Sequence, residues 1–200
     1  MKVAIIDYGA GNTQSVLYAL QRLNIEGVIT NQVDEIRNAD KVILPGVGHA
    51  KPALTALKTN GIDEVIGTLN QPFLGICLGM QLLCRHIAEG AVDGLGIFET
   101  NVHKFESKQE ETTERIKVPH MGWNNLQLHP SPLFKDLAQD DYVYFVHSYY
   151  AETNNQTIAT CHYEKPFSAA MQQNNFYGCQ FHPEKSGETG LKILKNFIEL

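Results

Sequence analysis

The chain has 200 residues, a formal net charge of −6, and a composition that is 43% hydrophobic and 19% charged. This length suits one domain with a full core, so we expect a single unit over residues 1–200. The negative charge gives no electrostatic reason to expect nucleic acid or an anionic membrane as a partner. Four cysteines without a C-x-x-C pair, and an amino end that resembles a strand and not a signal peptide, predict a cytoplasmic protein.

The first part of the chain alternates strand and helix patterns. Short apolar runs at residues 3–6, 27–30 and 41–44 predict strands. Apolar residues at helical spacing over residues 16–23 predict a helix that Asn12 or Thr13 caps. This alternation predicts an α/β fold with a mostly parallel, doubly wound central sheet and flanking helices.

A glycine-rich turn follows the third predicted strand. Pro45, Gly46, Val47 and Gly48 come directly after its carboxyl end, where open α/β sheets bind their ligands. Glycines on both sides of Val47 let its backbone amide point outward, so this amide and that of Leu78 could form an oxyanion hole. A plain tight turn is the alternative.

The stretch at residues 72–83 centres on a cysteine. An apolar run with strand character ends at Cys77, and a pattern that predicts a helix from Leu78 to about Ala88 follows at once. Gly75 and Gly79 lie two residues before and after the cysteine, as in the Gly-x-Ser-x-Gly nucleophile elbow. Such a turn holds a nucleophile at a helix N-terminus, where a thiolate is favoured. The alternative is a buried cysteine that only fills space.

The second part of the chain is rich in strand patterns. They cover residues 97–98, 101–105, 115–118, 142–150, 157–162, 168–171 and 176–181, and we expect a smaller, partly antiparallel region here. The polar run at residues 106–114 predicts a solvated hairpin tip. Apolar residues on one face of residues 191–198 predict a closing helix, with Ser186 as its cap.

A histidine and a glutamate could complete a nucleophilic site. His182 ends an apolar strand, and Glu184 lies two residues on, with Pro183 between them. Residues two apart on an extended chain point to the same side, so the carboxylate can orient the imidazole as a base for Cys77. An ordinary core histidine is the alternative. No H-E-x-x-H, H-x-H or paired C-x-x-C motif occurs, so we expect neither a metal nor a cofactor.

The elbow at residues 75–81 and the segment Phe181-His182-Pro183-Glu184 together resemble the class I (triad) glutamine amidotransferases. Further segments narrow the resemblance to the glutaminase subunits of imidazole glycerol phosphate synthases. These segments are residues 7–12, 44–48, 119–124, 144–149 and 185–186. The resemblance covers essentially the whole chain.

The resemblance implies hydrolysis of L-glutamine to glutamate and ammonia. Cys77 would form a glutamyl thioester, His182 would act as acid and base, and Glu184 would orient it. The resemblance also assigns an oxyanion turn with its partner amide, and a set of groups that hold the substrate. These residues are Gly46, Val47, Gly48 and Leu78 for the oxyanion, and Gln81, Glu89, His147, Ser148 and Tyr149 for glutamine.

The resemblance also implies a second protein. Similar subunits pass ammonia to a cyclase subunit with a (β/α)8 barrel, and Asn12, Trp123 and Lys185 match positions that would meet it. A movable Gly46–Val47 peptide is a hypothesis for how that partner controls activity. Three alternatives stay open at this point: a glutaminase subunit for another synthase, a cysteine hydrolase on the same elbow, and a binding subunit without activity.

Overall fold

The computed structural model of the chain describes residues 1–106 and 117–200. In these ranges the strands are β1 (Lys2–Ile6), β2 (Glu26–Thr30), β3 (Lys41–Gly46), β4 (Phe73–Cys77), β5 (Cys84–Ile87), β6 (Val92–Asp93), β7 (Phe98–Lys104), β8 (His120–Asn125), β9 (Gln127–Leu128), β10 (Tyr142–His147), β11 (Tyr149–Ala151), β12 (Thr157–His162), β13 (Pro166–Gln173) and β14 (Phe176–Cys179). The α-helices are α1 (Thr13–Arg22), α2 (Val33–Arg37), α3 (Ala50–Thr59), α4 (Ile62–Ile66), α5 (Leu78–Leu82) and α6 (Gly187–Glu199), with 3₁₀ helices at Pro132–Phe134 and Pro183–Lys185.

The main sheet has two parts that run differently. Across the described residues its strand order is β2-β1-β3-β4-β14-β13-β12-β9. The pairs from β2 to β14 are parallel, and those from β14 to β9 are antiparallel. Two smaller sheets, β10-β8 and β11-β7-β5-β6, pack beside it. The predicted α/β fold, with a mostly parallel doubly wound region and a smaller antiparallel region, is confirmed.

Both faces of the parallel region are buried, which explains its continuous apolar strands. In β1, Val3 and Ile5 belong to one core cluster, and Ala4 and Ile6 belong to another. The apolar faces of α1 and α6 cover the first cluster, and those of α2, α3 and α4 cover the second. Period-two strands and period-3.6 helices therefore bury the same sheet from both sides.

The carboxyl ends of three neighbouring strands meet at one edge of the sheet. In the pairing of β3 with β4, Gly46 is opposite Cys77, and in the pairing of β14 with β4, Cys179 is opposite Ile76. The turn after β3, the end of β4 and the segment after β14 therefore lie together, where parallel sheets bind ligands. Among the described residues, no helix combines the length and the apolar character needed to cross a membrane.

The predicted helix from Leu78 to about Ala88 is wrong in its extent. Helix α5 ends at Leu82, and the next residues form strand β5, which pairs with β7. The Leu82 and Leu83 carbonyls accept hydrogen bonds from the amides of Leu95 and Phe98. These bonds replace the ones that would extend the helix, so tertiary pairing overrides the local helical pattern.

Several other elements differ from their predicted bounds. The predicted strand at residues 142–150 divides at Ser148 into β10 and β11, which belong to different sheets. The two strands predicted between residues 97 and 105 are one, β7, and β8 was not predicted. Most of the predicted hairpin tip, and residues 115–116 of the strand predicted beside it, lie outside the described residues; residues 117–118 are not in a strand.

The two predicted helix caps have different outcomes. Asn12 caps α1 as predicted, because its side-chain oxygen accepts a hydrogen bond from the Ser15 amide at 3.3 Å. Ser186 precedes α6, but its hydroxyl does not cap the helix. It donates to the His182 carbonyl at 2.6 Å and accepts from the Tyr144 amide at 2.9 Å. Ser186 thus ties the segment that carries His182 to strand β10.

Candidate active site

Cys77 occupies a strained turn between β4 and α5. Its φ of 54° and ψ of −109° are unusual for a residue with a side chain. A Cβ on Gly75 would lie 2.7 Å from the Gly79 carbonyl oxygen, and one on Gly79 would collide with the Leu44 carbonyl oxygen. The two glycines therefore let the turn pack directly against its own helix and against β3. This arrangement is that of a nucleophile elbow.

His182 and Glu184 form a buried pair next to this elbow. The Nδ1 of His182 lies 2.8 Å from Oε1 of Glu184, and their side chains are only 2% and 1% exposed. Burial alone would lower the pKa of His182, but the Cys77 sulfur and the Glu184 carboxylate outweigh it and raise the pKa to about 10. The ring therefore holds its proton at neutral pH and can stabilise a thiolate on Cys77.

Two glutamines connect Cys77 to strand β11. Nε2 of the fully buried Gln180 lies 3.5 Å from Sγ of Cys77, and its Oε1 accepts from Nε2 of Gln81 at 2.8 Å. The Gln81 amide also donates to the Tyr149 carbonyl at 3.0 Å. The Gln180 amide thus offers the sulfur an N–H donor, and the chain of bonds fixes Gln81.

The glycine-rich turn lies directly opposite the elbow. A Cβ on Gly46 would lie 2.5 Å from the Gly79 amide nitrogen and 2.7 Å from Cβ of Leu78, so only glycine fits where the turn approaches the elbow. Val47 and Gly48 face the cavity beside Cys77, and Val47 is 40% exposed. A group bound to the Cys77 sulfur would therefore lie next to the backbone of the glycine-rich turn and of the elbow.

A cavity of about 510 Å³ opens over the sulfur, a size typical of small-molecule sites. It brings together most of the predicted site residues. Glu184, which bonds His182, and Gly46, which precedes Val47 in the turn, do not line it. The lining residues are Val47, Gly48, His49, Cys77, Leu78, Gln81, Glu89, Lys104, Pro119, Val146, His147, Ser148, Tyr149 and His182.

Glu89 reaches the cavity from a different element than the one predicted. It lies in the turn between β5 and β6, and not near the end of the helix that follows the elbow. Its Oε1 is 3.1 Å from Nδ1 of His49, and its Oε2 accepts from the Ala50 amide at 2.9 Å. The carboxylate is therefore held at the start of α3, just after the glycine-rich turn.

His147 forms part of the cavity wall as a neutral histidine. Burial, with His120 and His182 nearby, lowers the pKa of His147 to about 3, and burial lowers the pKa of His120 to about 4. The Nδ1–H of His147 donates to the Tyr149 carbonyl at 2.8 Å, so its Nε2 accepts from Nδ1 of His120 at 3.0 Å. These bonds fix the backbone around Ser148 and Tyr149.

Sequence reasoning missed several residues of this site. Gln180 precedes His182 by two positions, so the period-two rule that paired His182 with Glu184 could have found it. Lys104 lines the cavity because β7 pairs with β11, and His49 lines it because it lies at the start of α3. No local sequence pattern indicates either position. In the part of the chain that the structure describes, no three His, Cys, Asp or Glu side chains gather as a metal site requires.

The three predicted interface residues lie away from the cavity lining. Trp123 is 55% exposed on the two-stranded sheet β10-β8, and Met121 and Tyr142 are exposed on the same sheet. Asn12 is partly buried at the start of α1, and Lys185 is exposed just after the His182–Glu184 pair. The sheet thus presents large apolar side chains to solvent, which is typical of a protein interface.

Comparisons with known proteins agree with this geometry. PurLQS from Thermotoga maritima has a similar fold, with a TM-score of 0.74 at 17% identity over 99% of this chain and 97% of that one. The chain is 54% identical to the imidazole glycerol phosphate synthase subunit HisH of Bacteroides fragilis (strain YCH46), over 100% of both chains. It is 47% identical to that subunit of Pasteurella multocida (strain Pm70), over 98% of this chain and 97% of that one. The family described as glutamine amidotransferase class-I matches residues 4–200. The chain belongs to the class-I glutamine amidotransferase family.

Proposed function

We propose that this chain is the glutaminase subunit of an imidazole glycerol phosphate synthase. It hydrolyses L-glutamine to glutamate and passes the ammonia to a cyclase subunit, which makes imidazole glycerol phosphate and aminoimidazole carboxamide ribotide in histidine biosynthesis. The observation that carries the proposal is Cys77 on its strained elbow, in one cavity with His182, whose ring bonds Glu184 at 2.8 Å. Full-length identity of 44–54% to subunits of that name supports the choice of synthase.

The first half of the reaction forms a thioester. Sγ of Cys77 attacks the side-chain amide carbon of glutamine, and the carbonyl oxygen becomes an oxyanion near the Val47 and Leu78 amides. The protonated ring of His182 then gives its Nε2 proton to the leaving nitrogen, and the C–N bond breaks to release ammonia. Nε2 of His182 is buried and has no hydrogen-bond partner among the described residues, so its proton is not committed to another group. This supports its role as the proton donor.

The second half restores the enzyme. The now neutral His182 takes a proton from a water molecule, which attacks the thioester carbon, and the C–S bond breaks to release glutamate. Glu184 keeps the ring oriented and compensates its positive charge in both halves. One water is consumed for each glutamine, and Cys77 returns to its starting state.

The charges of the cavity favour free glutamine over a glutamine within a peptide. Glu89 and Lys104 line the cavity and carry opposite charges. The α-carbon of free glutamine carries both an ammonium and a carboxylate, and a peptide-bound glutamine has neither. Together with Gln81, His147, Ser148 and Tyr149 we therefore assign these groups to substrate binding. The opposite charges of Glu89 and Lys104 therefore favour a glutaminase over a peptidase that uses the same elbow.

We also propose the partner and setting that the resemblance implies. The cyclase subunit is a (β/α)8 barrel, and it docks on the face that carries Asn12, Trp123 and Lys185. The exposed apolar side chains of sheet β10-β8 support this assignment. Residues 1–200 are one glutaminase domain, and the four unpaired cysteines support a reducing, cytoplasmic setting.

Replacement of the nucleophile tests the proposal in the complex with the cyclase subunit. We expect Cys77→Ala to abolish glutamine-dependent synthesis of imidazole glycerol phosphate and to leave ammonia-dependent synthesis intact. Cys161→Ala is the matched control, because Cys161 is also buried but does not line the cavity, and it should leave both activities unchanged. Glutamine-dependent synthesis by Cys77→Ala would overturn the proposal. Glutamate release only with the partner of a different synthase would favour the alternative synthase.

A further inference from the structure

Tyr8 carries a buried hydroxyl that the mechanism above does not use. The residue follows β1, is 4% exposed, and packs in the core on the α3 side of the sheet. Its hydroxyl oxygen is inaccessible to solvent and has no hydrogen-bond partner among the described residues. A buried hydroxyl without a partner is destabilising, so its retention requires an explanation.

This hydroxyl lies close to Gly46 in the glycine-rich turn. A Cβ on Gly46 would be only 2.9 Å from the Tyr8 oxygen, so the hydroxyl faces the side that glycine leaves open. Val47 and Gly48 line the cavity, but Tyr8 does not. The Tyr8 hydroxyl is therefore close to Gly46 but outside the cavity lining. Burial and the nearby Cys77 raise the pKa of Tyr8, so it keeps its proton and remains a donor.

The geometry of the peptide bond links Tyr8 to the Val47 amide. In a trans peptide the carbonyl and the N–H point in opposite directions. If the Gly46 carbonyl points inward to Tyr8, the N–H of Val47 points outward into the cavity, where an oxyanion forms. We infer that Tyr8 is a positioning residue whose hydroxyl donates to the Gly46 carbonyl and so holds the Val47 amide in the oxyanion-binding orientation.

This inference rests on the proposed function, because it assumes that the Val47 amide stabilises the oxyanion. Among the described residues the hydroxyl has no hydrogen-bond partner, so we expect the bond to form only when the Gly46–Val47 peptide takes the oxyanion-binding orientation. Formation of the bond removes an unsatisfied buried group and shifts the turn toward that orientation. Tyr8 thus acts on the transition state through the turn and does not touch the substrate.

Tyr8→Phe tests the inference, because it removes one oxygen and keeps the buried ring. In the complex with the cyclase subunit we expect kcat for glutamine hydrolysis to fall about tenfold, with KM unchanged. The melting temperature of the free chain should not fall, because the Tyr8 hydroxyl that the substitution removes has no hydrogen-bond partner among the described residues. Alkylation of Cys77 by iodoacetamide should keep its rate. Tyr177→Phe, which removes a buried tyrosine hydroxyl that bonds Gln172, is the matched control and should keep wild-type kcat.

The outcomes separate this inference from the proposed function. A Tyr8→Phe complex with wild-type kcat, beside an active wild-type complex, overturns the role of Tyr8 alone. An equal fall in the rate of Cys77 alkylation also overturns it, because the hydroxyl would then act on the nucleophile and not on the turn. A wild-type complex that releases no glutamate from glutamine overturns the proposed function, and this inference with it.

Discussion

The charge of Glu184 can be removed without removing its hydrogen bond. Glu184→Gln keeps the side-chain size and an oxygen that can accept a hydrogen bond from Nδ1 of His182. In the wild type, this nitrogen lies 2.8 Å from Oε1 of Glu184. Because both side chains are almost completely buried, solvent screens their attraction weakly. At an effective dielectric constant of about 20, two unit charges roughly 4 Å apart attract by about 4 kcal/mol. The pKa of His182 should therefore fall clearly below about 10, while the Cys77 sulfur continues to raise it.

The pH dependence of glutamine hydrolysis in the complex measures this change. We expect kcat of Glu184→Gln at neutral pH to be lower by about 10²- to 10³-fold, since each 1.4 kcal/mol corresponds to about tenfold. The alkaline loss of activity should begin at a clearly lower pH than in the wild type, where it is expected near pH 10. The raised pKa of His182 also stabilises the fold fully below about pH 6.5, and this contribution is lost as the pH rises toward 10. The variant should lack the part of that stabilisation that the Glu184 charge contributes.

A second glutamate provides the control for this experiment. Glu188 lies four residues further on, its side chain is 89% exposed, and it pairs with Arg22 at 3.2 Å. Glu188→Gln should keep the wild-type kcat and pH profile, because exposed ion pairs contribute little. Wild-type activity and an unshifted alkaline limb in Glu184→Gln would refute the reasoning, since the carboxylate charge would then not hold the proton on His182.

Two further substitutions test the elbow and its surroundings. Gly79→Ala should lower the free energy of unfolding by about 3 kcal/mol in urea denaturation, because the new methyl group meets the Leu44 carbonyl. Gly67→Ala, with open space around it, should change it little, and equal stabilities would contradict this account. Gln180→Met removes the N–H donor that lies 3.5 Å from Sγ of Cys77. Alkylation of Cys77 by iodoacetamide should slow about tenfold, and an unchanged rate would show that the donor is not used.

Local rules of geometry account for the parts of the site that were predicted from the residues alone. The glycines around Cys77 indicated a tight turn because only a backbone without side chains fits there, and the structure has these close approaches. The two-residue spacing of His182 and Glu184 indicated a shared side, and the pair is hydrogen-bonded. Both inferences depend on a few neighbouring residues, so tertiary structure could not change them much.

Long-range contacts account for what the residues alone did not predict. The predicted extent of α5 was wrong because the carbonyls at its end accept hydrogen bonds from the amides of Leu95 and Phe98. These two residues lie more than ten positions further along the chain, so the local helical pattern does not indicate them. Lys104 reaches the cavity only through the pairing of β7 with β11, and no pattern around it indicates this. Tyr8 has an ordinary position after a strand, and its significance lies in a hydroxyl that is close to Gly46 and has no hydrogen-bond partner among the described residues.

The pairing of β14 with β4 has a consequence for biosynthesis of the protein itself. Cys77 and His182 are more than a hundred positions apart, and their approach depends on the register in which Cys179 lies opposite Ile76. A shift of one residue would move His182 by about 3.3 Å and turn its side chain to the opposite face. In a nascent or misregistered chain, Cys77 therefore lacks His182 beside it. Under the proposed mechanism, ammonia release then requires that β14 has already joined the sheet.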